Sequence, residues 1–293
     1  MAKVKQHNLG FYQLDPIPSA ENLNRFYQSH YYDLLRKGGR APEIRKLLDV
    51  GGERESELEW LRATLHMDMA DLIMAHGPTE GMVLDVGCGS GDLLMSLHYK
   101  GIDCCGIEPS EDAVKVANER GVQAYCSTLE EWVAQEAHQS HYRAVTLVNV
   151  LEHVPDPVAM LRDIMTLLRP GGILVFRVPN DFTKLQTLAE DACEKKHWWV
   201  AEPDHINYFK SESAKVACTQ VGLEVVDTTA DFPMELFLLM GINYIDTPEL
   251  GRQAHLMRRR LEMRLPKEMR REIYHALANL GMGRNILVTA KKP

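Results

Sequence analysis

The stretch Val83-Leu84-Asp85-Val86-Gly87-Cys88-Gly89-Ser90-Gly91 limits what this 293-residue chain can fold into more than any other. A short apolar run gives way to glycines at alternate positions, and helical spacing begins directly after them. Glycine takes φ > 0 without strain and lets a ligand approach the backbone closely. The N–H groups at the start of the following helix favour a negatively charged ligand group. A strand, loop and helix that receive a nucleotide-like cofactor are implied. Glu108 stands seventeen residues after Gly91, at the expected end of the second strand. From that position a carboxylate accepts hydrogen bonds from ribose hydroxyls in such folds. The spacing also discriminates, because a dinucleotide fingerprint reads G-x-G-x-x-G. Here the third glycine comes one residue early and Asp85 stands two before the first, which demotes a pyrophosphate reader such as a nicotinamide oxidoreductase.

Between residues 82 and 180 short apolar runs alternate with helical segments, the pattern of βαβ units and a mostly parallel sheet. Strands are expected at 83–86, 103–107, 122–125, 144–149 and 173–178, with helices at about 91–99, 110–120, 129–138 and 156–169. Gly101, Gly121 and Pro170-Gly171-Gly172 supply the stops between them. Beyond Asn180 come an aromatic loop, a helix near 211–221, a strand at 224–229, a helical stretch from about 233 to 280 and a last strand at 285–290. Ahead of the sheet, Pro16 and Pro18 mark an irregular start, and Phe26, Tyr27, Tyr31 and Tyr32 form an aromatic cluster. Leu58, Leu61, Leu65, Met69, Leu72 and Ile73 recur at helical spacing, which predicts a long amphipathic helix over 55–76 that must pack on something.

Charge and composition exclude several classes. Thirty-three Lys and Arg against 41 Asp and Glu leave −8, the wrong sign for a general nucleic-acid binder. The longest apolar run, from Leu236 to Met240, falls far short of the roughly 20 residues of a membrane span, and residues 6–20 lack the apolar stretch of a signal peptide. A cytoplasmic protein is expected, its six cysteines reduced rather than paired.

The glycine pattern resembles the D-x-G-x-G-x-G motif of class I S-adenosylmethionine-dependent methyltransferases. The resemblance continues in order through Gly106-Ile107-Glu108-Pro109-Ser110, Cys126-Ser127-Thr128-Leu129-Glu130, Asn149-Val150-Leu151-Glu152-His153-Val154 and Leu168-Arg169-Pro170-Gly171-Gly172, covering residues 82 to roughly 230. It implies a Rossmann-like α/β fold, a seven-stranded mostly parallel sheet with helices on both faces, and S-adenosyl-L-methionine as cofactor. Asp85, Gly87, Cys88, Gly89 and Gly91 would hold its methionine part, with Asn149 and Val150 nearby. Glu108 would bind the ribose, and the adenine would lie near Pro109 and the Thr128-Leu129 edge. In many relatives an Asp stands where this chain has Thr128, a weaker acceptor.

Methyl transfer from a sulfonium is an in-line displacement, so the protein must align the acceptor and, for a weakly acidic one, remove its proton. His153, four residues past Asn149, is a candidate base at the carboxyl edge of the sheet; otherwise it shapes the loop before Pro155. The same segment is similar to the E-x-x-E-H metal-binding element of ubiquinone-type O-methyltransferases, but asparagine replaces its first carboxylate, so no metal is expected. The loop His197-Trp198-Trp199-Val200-Ala201-Glu202-Pro203-Asp204-His205-Ile206-Asn207-Tyr208-Phe209 supplies two further candidates, His197 and His205. Its alternative role is a satellite core closing the fold. The [N/D]-P-P-[Y/F] element of nucleic-acid amino-methyltransferases is absent, which with the charge favours a small-molecule acceptor and no nucleic acid.

Against the shared fold, in which strands 6 and 7 form a hairpin, about fifty residues are inserted here. The expected organisation is an N-terminal helical cap over 1–80 and a methyltransferase domain over 81–293, with a helical insertion at about 232–283. From Glu249 to Glu272 the insertion carries eight Lys or Arg against four Glu, leaving −12 on the rest of the chain. One reading is a solvated cationic face with Leu256, Met257, Leu261, Met263 and Leu265 packing inward. The others are a site for an anionic acceptor or a homodimer contact. The leading function is transfer of a methyl group to oxygen of a small molecule. N- or C-methylation of a sugar or natural-product intermediate, and a catalytically inactive cofactor-binding protein, are the alternatives.

Overall fold

A computed structural model describes residues 3–19, 22–23 and 52–293; the aromatic cluster at Phe26, Tyr27, Tyr31 and Tyr32 lies outside the described residues. Two short strands come first, β1 (Val4–Gln6) and β2 (Tyr12–Leu14). A helical run follows as α1 (Gly52–Leu61), a π-helical turn (Arg62–His66) and α2 (Met67–His76). Then strands and helices alternate: β3 (Val83–Val86), α3 (Asp92–Tyr99), β4 (Cys104–Glu108), α4 (Glu111–Glu119), β5 (Ala124–Cys126), α5 (Leu129–Val133), β6 (Tyr142–Val148), α6 (Pro157–Leu167) and β7 (Leu168–Pro179). The remaining elements are α7 (Lys184–Cys193), β8 (Asn207–Tyr208), α8 (Ser211–Gln220), β9 (Glu224–Ala230), α9 (Glu235–Leu239), α10 (Pro248–Arg264), α11 (Lys267–Asn279) and β10 (Asn285–Lys291).

Seven strands form one sheet in the order β5-β4-β3-β6-β7-β10-β9, in which β10 runs antiparallel to both neighbours and every other pairing is parallel. This is the Rossmann-like α/β sheet expected from the sequence. Side chains alternate between its two faces. Leu84, Val145, Leu147, Leu174 and Phe176 pack with α5, α6 and α8 on one face. Val83, Ala144, Ile173, Val175 and Leu287 pack with α2 and α3 on the other, against Met69, Ala70, Ile73, Leu93 and Leu97. The amphipathic helix predicted over 55–76 therefore finds its partner in the sheet. Among the described residues no helix is long and apolar enough to cross a membrane, and all six cysteines are free thiols.

Three features escaped the periodicity. A second sheet, β1-β2-β8, pairs Tyr12 with Tyr208 and Gln13 with Asn207, joining the chain start to the aromatic loop. Strands this short are set by long-range pairing and carry little local signal. Helix α7 starts inside what read as loop; its Thr183 and Gln186 form a capping box. The long helical stretch is broken into α9, α10 and α11 at Pro248 and Pro266, where proline ends a helix or starts one.

The insertion also inverts the expected polarity. Leu256, Met257, Leu261 and Met263 are each at least 40% exposed, whereas Arg258 and Arg270 are 3% exposed. The reason is a supply of buried counter-charges. Arg258 reaches Asp231 (2.7 Å) and Glu262 (3.2 Å). Arg259 reaches Glu57 (3.1 Å), Arg270 reaches Asp68 (2.9 Å), and Arg271 and Lys267 reach Asp71 (2.8 and 3.1 Å). Glu262 further accepts hydrogen bonds from the Trp60 indole (2.7 Å) and the Tyr274 hydroxyl (2.6 Å). The cations thus clasp α10 and α11 to α1 and α2. Removing one partner of a buried pair strands the other charge, at a cost of about 3–5 kcal/mol. Glu262→Ala takes the acceptor from the buried Trp60 indole, the Tyr274 hydroxyl and Arg258 Nε, while Arg258 keeps Asp231, and is expected to lose about 3–5 kcal/mol in urea unfolding; Arg252→Ala on the exposed face loses under about 1 kcal/mol.

Where the π-helical turn meets α3, His66 Nδ1 lies 2.8 Å from Ser96 Oγ. Burial pushes the imidazole down to about 4, against the pull of Asp92. A folded-state pKa below the unfolded one means stability is full above about 6.5 and is lost as pH falls from there towards 4. The loss approaches about 3 kcal/mol. Unfolding curves of wild type and His66→Gln are expected to converge as pH falls through that window; a constant gap would contradict it.

Candidate functional site

The carboxyl ends of β3, β4 and β6 converge on the glycine loop. Gly87, Gly89 and Gly91 all have positive φ (73°, 52° and 80°). A Cβ on Gly87 would stand 2.8 Å from the Val150 side chain, and one on Gly91 2.8 Å from Val122. These two glycines let the loop pack on its neighbours, whereas nothing lies within 4 Å of the Cβ position of Gly89. The Gly89 N–H donates to Glu108 (3.2 Å), whose other oxygen accepts from the Ser110 N–H (3.0 Å). Loop and carboxylate, distant in sequence, are therefore one unit. Two residues absent from the sequence-based set complete it. Arg120 donates to the Ser90 carbonyl (2.6 Å) and pairs with Asp92 (2.7 Å). Gly106 is needed because a Cβ there would lie 2.5 Å from Cys88 Sγ; it stands in a quoted motif, but only a contact across strands reveals its role.

Asp85 is buried at the end of β3 and accepts a 2.6 Å hydrogen bond from the Thr146 hydroxyl. Burial pushes its carboxyl up to about 7; the Thr146 bond opposes the rise and the Glu108 charge adds to it. Such a group gains strongly from a nearby ammonium. Cys88 is buried and its thiol is pushed up by burial and by Asp85, so its contribution is steric. Pro109 is exposed beside the loop. Thr128 caps α5, its hydroxyl accepting from the Glu131 N–H (3.3 Å), so an adenine contact there competes with the cap. The Leu129 side chain belongs to the core, which leaves its backbone to face a ligand. An open glycine cradle, a buried carboxyl and a carboxylate on the adjacent strand end fit a cofactor with amino-acid and ribose parts.

At the end of β6, Asn149 takes φ 57° and its amide oxygen accepts from Arg177 Nη1 (3.0 Å), while Val150 packs against Gly87. Arg177, from β7, carries no local sequence signal, and its other arm reaches Asp231 (3.3 Å). Four residues on, His153 Nδ1 lies 2.9 Å from the Asp204 carbonyl and 3.1 Å from its carboxylate. His205 packs edge-on to His153, ring centroids 4.9 Å apart. Asn207 binds the whole loop to the strand end, donating to the Leu151 and Val154 carbonyls at 2.8 and 2.7 Å. Burial works against the charged form of His153, but Asp204 and Glu152 outweigh it and raise the imidazole to about 9. Burial also raises Glu152, to about 7.

Of the three histidines singled out from sequence, two come together. His197 instead faces Glu190 (3.7 Å) among Phe182 and Trp199. Glu152, His153 and His205 each offer one ligand atom, all within 4.8 Å of one another. One carboxylate and two imidazoles suit a borderline ion such as Zn²⁺ better than Mg²⁺. The proton held by His153 would compete with it.

Comparison with known proteins follows the same lines. Residues 64–228 match the family model described as a methyltransferase domain. The ubiquinone biosynthesis O-methyltransferases of Yersinia pestis (strain Pestoides F) and Yersinia pseudotuberculosis serotype O:1b (strain IP 31758) are each 38% identical to this chain over 118 residues, 39% of this chain and 48% of theirs. The chain thus spans about half the length of the curated relatives it matches. A solved S-adenosylmethionine-dependent methyltransferase from Archaeoglobus fulgidus superposes with a TM-score of 0.54 at 17% identity, over 90% of this chain and 100% of that one, a likeness of fold.

Gly87→Ala adds a Cβ at positive φ and against Val150. Strain of that kind costs about 1–3 kcal/mol. Binding of S-adenosylhomocysteine, measured by calorimetry, is expected to weaken by roughly tenfold or more, whereas Gly101→Ala, with nothing within 4 Å of its Cβ, leaves it unchanged.

Proposed function

Because the chain belongs to the class I S-adenosylmethionine-dependent methyltransferases, we propose that it methylates an oxygen of a small-molecule acceptor at the carboxyl edge of β3, β6 and β7. The observation that carries this reading is the glycine loop, whose Gly89 N–H is bonded to Glu108 while Gly87 rests on Val150. It joins the ends of β3, β4 and β6, at which cofactor and acceptor must meet. The cofactor, when bound, supplies a methyl group on a sulfonium. Asp85 and the backbone of Gly87, Cys88 and Gly89 hold the amino-acid part, Glu108 the ribose hydroxyls, and the Pro109 and Thr128-Leu129 edge the adenine. Asn149 and Val150 fix the approach from β6.

The preference for oxygen rests on the cluster past β6. An alcohol or phenol must lose a proton as its oxygen is alkylated. His153 and His205 are adjacent imidazoles, and Asp204 holds Nδ1 of His153, fixing that ring. His205 is the proton acceptor in this reading and His153 the group that orients it. The names of the curated relatives, O-methyltransferases, support the same acceptor atom. His197, turned towards Glu190, takes no part. A small molecule rather than a nucleic acid fits the −8 charge. An anionic acceptor gains little from the insertion, whose buried cations are already matched by carboxylates.

Calorimetry and a methyl-transfer assay test the two halves separately. Glu108→Ala is expected to weaken S-adenosylhomocysteine binding by about 1.5–3 kcal/mol; unchanged affinity would refute the ribose role. His205→Ala is expected to lower kcat by about 10²–10⁴-fold without changing cofactor affinity. His197→Ala leaves kcat near wild type. Full activity in His205→Ala would point to an acceptor that needs no proton removal.

A further inference from the structure

Two carboxyls without a part in the chemistry above lie at the same edge of the sheet. Asp181 follows β7 and Glu235 opens α9, just beyond β9, so both stand across β6 from the glycine loop. Their backbones are fixed by neighbours. The Asp181 N–H donates to the Phe209 carbonyl (2.7 Å), four residues after His205 in the aromatic loop. The backbone of Asn180 donates to the Arg284 carbonyl (3.0 Å) and its side chain to the Gly283 carbonyl (3.1 Å), which brings the start of β10 alongside. Behind them Ala189 and Cys193 of α7 pack on Leu238 of α9.

Both side chains are buried, Asp181 at 1% and Glu235 at 2% exposure. Asp181 Oδ1 accepts from the Gln186 amide (3.2 Å), whereas Asp181 Oδ2 and Glu235 Oε1 have no hydrogen-bond partner among the described residues. Arg284 comes within 3.9 Å of Glu235 Oε1, near enough to pair in charge and too far for a hydrogen bond. Burial pushes the Asp181 carboxyl up to about 6; Arg284 and the Gln186 bond oppose the rise and the Glu235 charge adds to it. Burial raises Glu235 as well, against the pull of the same arginine. One guanidinium therefore faces two carboxyls that feel each other. The Asp181 charge also reaches Glu152, the residue before His153, so the pair borders the histidine cluster while lying outside it. A buried oxygen that accepts nothing is costly, and here two of them stand together.

Building on the methyltransferase reading, we propose that Asp181 and Glu235 hold an ammonium group of the acceptor, which is therefore a small amino alcohol methylated on its oxygen. An ammonium has three N–H donors and no acceptor, which matches two oxygens that can only accept. A carboxylate on the acceptor would add a third anion beside the pair, and a neutral hydroxyl would leave the charge uncompensated. The hydroxyl of the same molecule lies towards the histidines, where its proton passes to His205 as its oxygen takes the methyl group from the sulfonium. The cofactor's own ammonium falls to Asp85 on β3, two strands from β7, so the two cations do not compete. The −8 of the chain draws a cation towards the site.

Three probes of one frame and different charge test this: 4-aminocyclohexanol, cyclohexane-1,4-diol and 4-hydroxycyclohexanecarboxylate, each titrated by calorimetry into the whole protein saturated with S-adenosylhomocysteine. The amine is expected to bind about tenfold more tightly than the diol, and the carboxylate more weakly than either. Asp181→Asn and Glu235→Gln keep the shape and remove the charge. Each is expected to weaken the amine by about tenfold, while the diol and S-adenosylhomocysteine bind as to wild type. A crystal soaked with the amine is expected to show its nitrogen at Asp181 Oδ2 and Glu235 Oε1, without any variant. No saturable binding of the amine, no preference for it over the diol, unchanged amine affinity in either variant, or water alone between the two carboxyls overturns the proposal. If S-adenosylhomocysteine itself fails to bind the wild type, the methyltransferase reading fails; if it binds and the amine shows no preference, only the ammonium site fails.

Discussion

One half-buried carboxylate, Asp231, ties the insertion to the edge of the sheet that carries the candidate site. It sits just past β9 and accepts from the backbone and side chain of Asn285 on β10, from Arg177 on β7 and from Arg258 on α10. Burial opposes its ionisation, but Arg258 and Arg177 hold it below the usual carboxylate range. Strand order, insertion and candidate site therefore share one electrostatic centre. Without it two guanidiniums would each lose a counter-charge in a partly desolvated place. The same centre reaches the cofactor side through a single side chain, because the second arm of Arg177 holds Asn149.

What the sequence made legible is what local chemistry demands. The glycine loop could be read because positive φ and close packing leave glycine almost alone at Gly87 and Gly91, and Glu108 because a strand end fixes where its carboxylate points. The alternating runs gave the sheet because each strand buries both faces. The illegible residues act across long separations. Arg177 meets a partner 28 positions away, Arg120 one 30 away, and Trp60 meets Glu262 across 202. Nothing in the neighbourhood of any of them marks it as special.

The insertion shows how a composition argument can invert. A run of cations with interleaved apolar residues reads as a solvated helix with an apolar underside, because burying arginine is ordinarily costly. Here Glu57, Asp68 and Asp71 on the α1-α2 run supply counter-charges, so guanidiniums go inward and Leu256, Met257 and Leu261 outward. Five of the eight cations are spent against carboxylates outside the segment, while Arg252, Arg260 and Arg264 stay exposed. The segregation seen in the sequence is an intramolecular pairing, and the chain keeps −8 while its most cationic element is neutralised from within.

The histidines follow the same logic on a smaller scale. All three are candidates in the sequence, and they separate once the loop is anchored. Asn207 ties it to the strand end through two carbonyls, β8 adds it to the small sheet, and the turn between places Asp204 and His205 against His153. His197, eight residues before His205, is beyond the reach of that anchor and pairs with α7 instead. A residue type can propose a chemistry, but here the anchor decides which side chains share it. The anchor is itself built from β2, near the chain start, and from the backbone after β6, so the site depends on the first strands of the fold as much as on the sheet that carries its motifs.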